Sequence, residues 1–215
     1  MKEKIFKWSQ YISKLNDMPK LIQSWEKELV TEIFKVMPKD KYYRILEIGC
    51  SNGRWLRWFK KHYNCETFGV DMDMAGKNMS NFILGNGLSL PFKNNSFDIV
   101  FSMGLIEHFS LKTQRRKLIE EHVRVAKKGF IMITHPNTTS SLRWCYIKFA
   151  LDYRLGHKHY KIAPEEMKEH FEQTKIRTLS SKFIGWFFDL GSNKIPKIFT
   201  HRFTSDDYVI IGEIE

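Results

Sequence analysis

The sequence predicts an α/β fold built on a mostly parallel sheet. Three observations carry this. Ile45, Leu46 and Ile48 form a short apolar run, as in a strand buried on both faces. The run ends at Gly49, Gly53 follows, and Trp55, Leu56, Trp58 and Phe59 then recur at helical spacing, so a strand, a tight turn and a helix succeed one another. A second strand, Glu66 to Asp71, closes a β-α-β unit. A glycine turn of this kind brings bare backbone close to a ligand and aims helix N–H groups at it. Asp71 ends the second strand about 20 residues after the turn, where one carboxylate can accept both hydroxyls of a ribose. A nucleoside across the tips of these two strands is therefore expected.

Composition bounds the answer. The chain has 215 residues, 42% hydrophobic and 27% charged, which suits one globular α/β domain with a full core. No window approaches the roughly 18 apolar residues of a membrane span. The first residues, Met1-Lys2-Glu3-Lys4-Ile5-Phe6, lack the apolar core of a signal peptide. Cys50, Cys65 and Cys145 are odd in number and scattered, the pattern of free thiols in a reducing compartment, so a cytoplasmic location is expected. Net charge is +11, from 35 Lys and Arg against 24 Asp and Glu. That balance suits nucleic acid, an anionic membrane or an acidic substrate. The lysines form no single dense block, however, and a solvated basic surface explains them equally.

The remaining elements follow in order. Residues 4–37 read as two helices, the second with Leu21, Ile22, Trp25, Leu29, Ile33, Phe34 and Met37 as an amphipathic stripe between Pro19 and Pro38. They cover a sheet edge or cap the ligand, with Tyr11 and Trp25 as contacts in the second case. After the strand ending at Asp71, residues 73–79 read as a short helix and Asn81 to Gly85 as a third strand. Residues 86–92 form a loop opened by Asn86-Gly87 turn chemistry. Residues 97–102 form a fourth strand. A helix over 113–127 is expected to end at Lys127-Lys128-Gly129, cations facing its negative end, followed by a fifth strand over 130–135. An aromatic-rich helix over 142–151, a helix from Pro164 to Phe171, and strands over 175–184 and 208–214 complete the chain. Trp186-Phe187-Phe188 and residues 195–199 lie between those strands as an apolar insertion. No repeat or low-complexity linker divides it.

The ligand is decided by the turn. A nicotinamide dinucleotide site wants Gly-x-Gly-x-x-Gly, whereas this chain spaces Gly49 and Gly53 with Cys50, Ser51 and Asn52 between them, and places Glu47 two residues before the first glycine. With Asp71 ending the next strand, this resembles the class I S-adenosylmethionine-dependent methyltransferases, whose first motif reads acid-x-Gly-x-Gly-x-Gly. Ser51 replaces the middle glycine. Two later segments strengthen the resemblance: Asn86-Gly87-Leu88 ahead of Leu90-Pro91-Phe92, and Ser102-Met103 ahead of Glu107-His108-Phe109.

The resemblance implies a Rossmann-like, doubly wound, seven-stranded sheet, mostly parallel with an antiparallel last strand, plus an N-terminal helical cap. It implies one domain over 1–215, with the cap at 1–40, a cofactor-binding half at 41–135 and a substrate side at 136–215. S-adenosyl-L-methionine is the implied cofactor. Glu47, Gly49, Cys50, Ser51 and Gly53 hold its amino-acid tail, and Asp71 its ribose. Met72 and Leu88 cover the adenine. Asn86, standing where the family has Asp, accepts from the adenine amino group beside Gly87. Backbone at Ser102 and Met103 lines the methionine end. His108 faces the mouth as a candidate base.

On the substrate side, Gly156-His157-Lys158-His159-Tyr160 loosely matches a His- and Tyr-bearing stretch of small-molecule members. His157, His159 and Tyr160 are therefore candidate acceptor contacts. The two histidines raise metal binding, but the sequence shows no third ligand, and no metal is expected. A small or lipid-like acceptor is the first expectation. RNA methylation, supported by charge alone, and a cofactor-binding regulator without catalysis are the alternatives.

Overall fold

The computed structural model describes residues 24–140, 144–145, 147–148, 158–184 and 207–214. Seven strands, β1 (Tyr42–Ile48), β2 (Asn64–Asp71), β3 (Phe82–Leu84), β4 (Phe97–Met103), β5 (Ala126–Pro136), β6 (Ile176–Ile184) and β7 (Asp207–Ile214), form one sheet in the order β3-β2-β1-β4-β5-β7-β6. The first five strands pair in parallel. β7 is antiparallel to both neighbours, the reversal expected of the last strand. Strand order reverses between β1 and β4, and that switch point is where a doubly wound sheet opens a crevice beyond its strand tips.

Helices α1 (Ser24–Val36), α2 (Arg54–His62), α3 (Lys112–Val125) and α4 (Pro164–Gln173) cover the sheet. One core joins Leu46, Ile48, Val100 and Ile131 to Leu118, Ile119, Met167 and Phe171 of α3 and α4. The other joins Ile45, Ile99, Phe101 and Met132 to Leu29, Ile33, Leu56 and Phe59 of α1 and α2. β1 thus sends alternate apolar side chains into both cores, which is why its sequence is apolar without a polar face. α1 is tied to β6 by Glu32, which accepts from Ser180 Oγ at 2.7 Å and Lys182 Nζ at 2.9 Å.

Two expectations are corrected. The helix over 113–127 ends at Val125, and Lys127, Lys128 and Gly129 belong to β5. Pairing of Ala126 with Phe97 and of Phe130 with Ile99 holds them between two ladder pairs as a bulge. A Cβ on Gly129 would stand 2.0 Å from the Asp98 carbonyl oxygen, so only glycine lets the two backbones approach where the register shifts between Phe97 and Ile99. The expected helix over 73–79 is a single 3-10 turn, Met74–Gly76. The connection from β2 to β3 is too short for a full crossover helix. In its place a polar cavity of about 550 Å³ opens, lined by Arg57, Lys60, Thr67, Asn78, Ser80 and Asn81 among others.

The first expected helix with Tyr11, the side chain of Trp25, most of 142–151, His157, Trp186-Phe187-Phe188 and residues 195–199 lie outside the described residues.

Candidate active site

The glycine bend follows directly from β1. Gly49 (φ 74°) and Gly53 (φ 72°) are left-handed, and Ser51 joins them at φ 48°. The bend is closed by Gly53 N–H donating to the Cys50 carbonyl at 2.7 Å, and it is tied to β2 by Gly49 N–H donating to the Val70 carbonyl at 2.8 Å. Met79 packs beneath it. A Cβ on Gly53 would meet the Met79 sulfur at 1.9 Å, so both backbone angle and space require glycine there. The bend delivers the chain into α2, whose N-cap is Gly53. The positive end of that helix therefore stands at the crevice.

Asp71 faces the bend, as the sequence requires. Its Oδ2 accepts the Ser51 N–H at 2.7 Å and its Oδ1 accepts the Asp73 N–H at 2.9 Å. Burial raises its pKa and those N–H donors oppose the rise. Each carboxylate oxygen keeps a second lone pair, which is what two ribose hydroxyls need. Glu47 is buried within β1. Its Oε2 has no hydrogen-bond partner among the described residues, and burial, with the neighbouring Asp71 charge, pushes its pKa well above the ordinary value. An orphaned acceptor beneath a glycine bend fits a cationic ligand group such as an amino-acid ammonium.

The opposite wall is the 86–92 loop. Asn86 Oδ1 accepts the Leu88 N–H at 2.9 Å, an Asx turn that uses one of its lone pairs. A Cβ on Gly87 would lie 2.9 Å from Ile48, so the loop reaches the tip of β1 only because residue 87 has no side chain. Arg124 of α3 fixes the same loop through the Leu90 and Phe92 carbonyls at 3.0 and 2.8 Å. Met72, 76% exposed, stands free beside Asp71. The sequence missed Leu105. Its side chain lies 3.1 Å from a Gly49 Cβ position and 3.9 Å from one at Gly87, so it floors the crevice between bend and loop. Ser102 turns its hydroxyl away from the crevice toward α3, where it meets His122 Nε2 at 3.2 Å. Only its backbone remains to line the site, as the sequence implied.

Beyond the tip of β4, Gly104 (φ 64°) turns the chain into a 3-10 turn, Ile106–His108. The segment 158–162 docks on that turn. Tyr160 N–H donates to the Glu107 carbonyl at 2.8 Å, and Ile162 and Thr138 exchange bonds at 3.0 and 2.8 Å. His108 Nδ1 lies 3.0 Å from the Lys158 carbonyl. A carbonyl only accepts, so Nδ1 carries the proton and Nε2 the lone pair. The His159 ring lies 4.7 Å from that of His108 and is buried, as is Glu107 at 1% exposure. Burial pushes the Glu107 pKa up to about 8. His108, His159 and Tyr160 are thus brought together. Glu107, which the sequence singled out only as a motif letter, joins them.

Sheet order, glycine bend and facing carboxylate give the chain the Rossmann-like fold of the class I S-adenosylmethionine-dependent methyltransferases. Residues 46–134 match the family of methyltransferase domains. Among curated proteins the chain is similar to a probable tRNA methyltransferase 9B from Mus musculus, at 31% identity over 87 residues, covering 40% of this chain and 20% of that protein. It is also similar to an ajmaline N-methyltransferase from Rauvolfia serpentina, at 24% over 169 residues, covering 72% and 50%. The chain therefore spans between a fifth and a half of these relatives. A solved S-adenosylmethionine-dependent methyltransferase from Archaeoglobus fulgidus shares the fold with a TM-score of 0.67 at 24% identity, covering 87% of this chain and 94% of that one. S-adenosyl-L-methionine is the cofactor that family and fold imply. No helix among the described residues is long and apolar enough to cross a membrane.

Proposed function

We propose that this chain transfers a methyl group from S-adenosyl-L-methionine to a small or lipid-like acceptor. The observation that carries the cofactor half is Asp71 bonded to the Ser51 N–H across the glycine bend. In this reading Asp71 holds the ribose, and Glu47 and the backbone of Gly49, Cys50, Ser51 and Gly53 hold the amino-acid tail. Met72, Asn86, Gly87 and Leu88 hold the adenine, and Ser102 and Met103 line the methionine end. The cofactor supplies a sulfonium methyl that is already electrophilic. The protein's task is to hold the acceptor in line and keep water out.

His108 is the catalytic residue of this proposal, through the Nε2 lone pair, with His159 and Tyr160 beside it; His157 is a further candidate acceptor contact from the sequence. The single domain over 1–215, with its cap at 1–40, belongs to the same reading. So does a cytoplasmic location, which the free cysteines support.

A small acceptor is favoured because the alignment with the ajmaline enzyme covers 72% of the chain, more than its cofactor-binding half can supply. A tRNA acceptor is the second reading. The tRNA methyltransferase relative supports it, as does the net charge of +11. Radiolabelled S-adenosylmethionine, offered with a metabolite extract, a lipid extract and bulk tRNA, separates the two. Label is expected in an organic or low-molecular-mass fraction. Label confined to tRNA, with binding that weakens steeply as salt rises, replaces the first reading by the second.

A further inference from the structure

We propose that Glu107, His108 and His159 bind one divalent transition-metal cation at the acceptor side of the site. Each offers one ligand atom, and the three atoms lie within 4.8 Å of one another. Metal–ligand bonds of about 2.0–2.2 Å at facial or tetrahedral angles set donor atoms roughly 3.0–3.6 Å apart, so closure draws the three side chains together by at most about 1–2 Å, within the reach of side-chain rotation. Two imidazoles and a carboxylate on one side of a cation are a familiar facial set that leaves positions open to substrate.

Two observations point to a cation rather than to chance proximity. Glu107 Oε2 is fully buried and has no hydrogen-bond partner among the described residues, so an acceptor atom stands in the cluster without a donor. His108 is already held as metal-binding histidines are: its Nδ1–H donates to the Lys158 backbone carbonyl at 3.0 Å, which fixes the tautomer and presents Nε2 as ligand. The second strut is local. Tyr160 N–H bonded to the Glu107 carbonyl and Lys148 Nζ bonded to the His159 carbonyl at 2.6 Å hold the two segments in register.

With the cation bound, His108 Nε2 is a ligand and no longer a base, so the cation site replaces the base role given to His108 above, and its open positions suit an acceptor that coordinates through oxygen. Its place in catalysis rests on the transferase reading. Its coordination is tested separately. The full, tag-free chain is titrated calorimetrically with Mn²⁺, Co²⁺ and Zn²⁺, with Mg²⁺ as the hard-cation control, and each variant is also titrated with S-adenosylhomocysteine. One saturable site is expected for the three transition metals. His159→Ala and Glu107→Gln should each weaken it by about ten- to a hundredfold, while S-adenosylhomocysteine affinity stays within about twofold of the parent. Retained S-adenosylhomocysteine binding shows that each variant is folded; His108→Ala, at a half-buried position, serves where the buried variants lose it. A folded protein that binds S-adenosylhomocysteine but shows no saturable metal site overturns the inference and leaves the transferase reading standing. So does metal binding that all three variants leave unchanged. Metal binding lost in the variants, with no S-adenosylhomocysteine binding in the parent, supports the cation site and removes the transferase reading.

Discussion

Asp71 and Gly53 bear the weight at the scale of single residues. Asp71 serves two masters: it accepts the Ser51 and Asp73 N–H groups and, in the proposed complex, the ribose. Hydrogen bonds to a charged acceptor contribute about 1.5–3 kcal/mol, so Asp71→Asn should weaken S-adenosylhomocysteine binding by about ten- to a hundredfold in calorimetry. An unchanged affinity would remove the ribose role. Gly53→Ala places a side chain at φ 72° and onto the Met79 sulfur. The left-handed strain alone costs about 1–2 kcal/mol, and urea unfolding should show at least that loss. The position of Asp71, facing the bend, was legible in the sequence because a strand-end acid after a β-α-β glycine turn is brought to that turn by the parallel pairing of the two strands. Leu105 was not, because its contact with Gly49 spans two separate βα connections and no local pattern encodes it. Glu107 was legible as a letter beside His108, but its burial depends on where segment 158–162 docks.

The elements show where local patterns win and where pairing overrides them. β1, β4 and α2 were legible because apolar period and glycine punctuation agree there. Lys127-Lys128-Gly129 misled because it carries good helix-ending chemistry, yet the β4 pairs at Ala126 and Phe130 on either side draw those residues into β5 as a bulge. The short 3-10 turn misled because helical spacing in 73–79 says nothing of the length available between β2 and β3. One tie between elements is testable. Burial alone would raise the Glu32 pKa, but hydrogen bonds from Lys182, Lys35 and Ser180 outweigh it and hold it at about 2, against an ordinary 4.5. A depressed carboxylate stabilises the fold above its unfolded pKa, and that contribution fades as pH falls toward the folded one. Glu32→Gln should therefore melt below the parent at pH 7, and the gap should narrow between about pH 4.5 and pH 2. A gap independent of pH would place the stabilisation in packing instead. Phe101, buried against Phe59 with ring centroids 5.2 Å apart, tests the second core: Phe101→Ala should cost roughly 3–5 kcal/mol in denaturant unfolding.

At the scale of the molecule, the strand order puts glycine bend, carboxylate, the 86–92 loop and the Glu107–His108 turn beyond the strand tips at one end of one sheet. The first three are fixed by β1, β2 and the 86–92 loop. The fourth depends on segment 158–162 docking on the turn after β4, which is why the first three were readable from local sequence and the fourth was not. A ligand that bridges these parts binds the folded state alone and raises its melting temperature by mass action. The most direct measurement is a calorimetric titration of the chain with S-adenosylhomocysteine and, separately, with NAD. Saturable one-to-one binding of S-adenosylhomocysteine, weakened by Asp71→Asn, with none for NAD, is the result this account predicts. Binding of NAD without S-adenosylhomocysteine, or of neither by a folded protein, would contradict it.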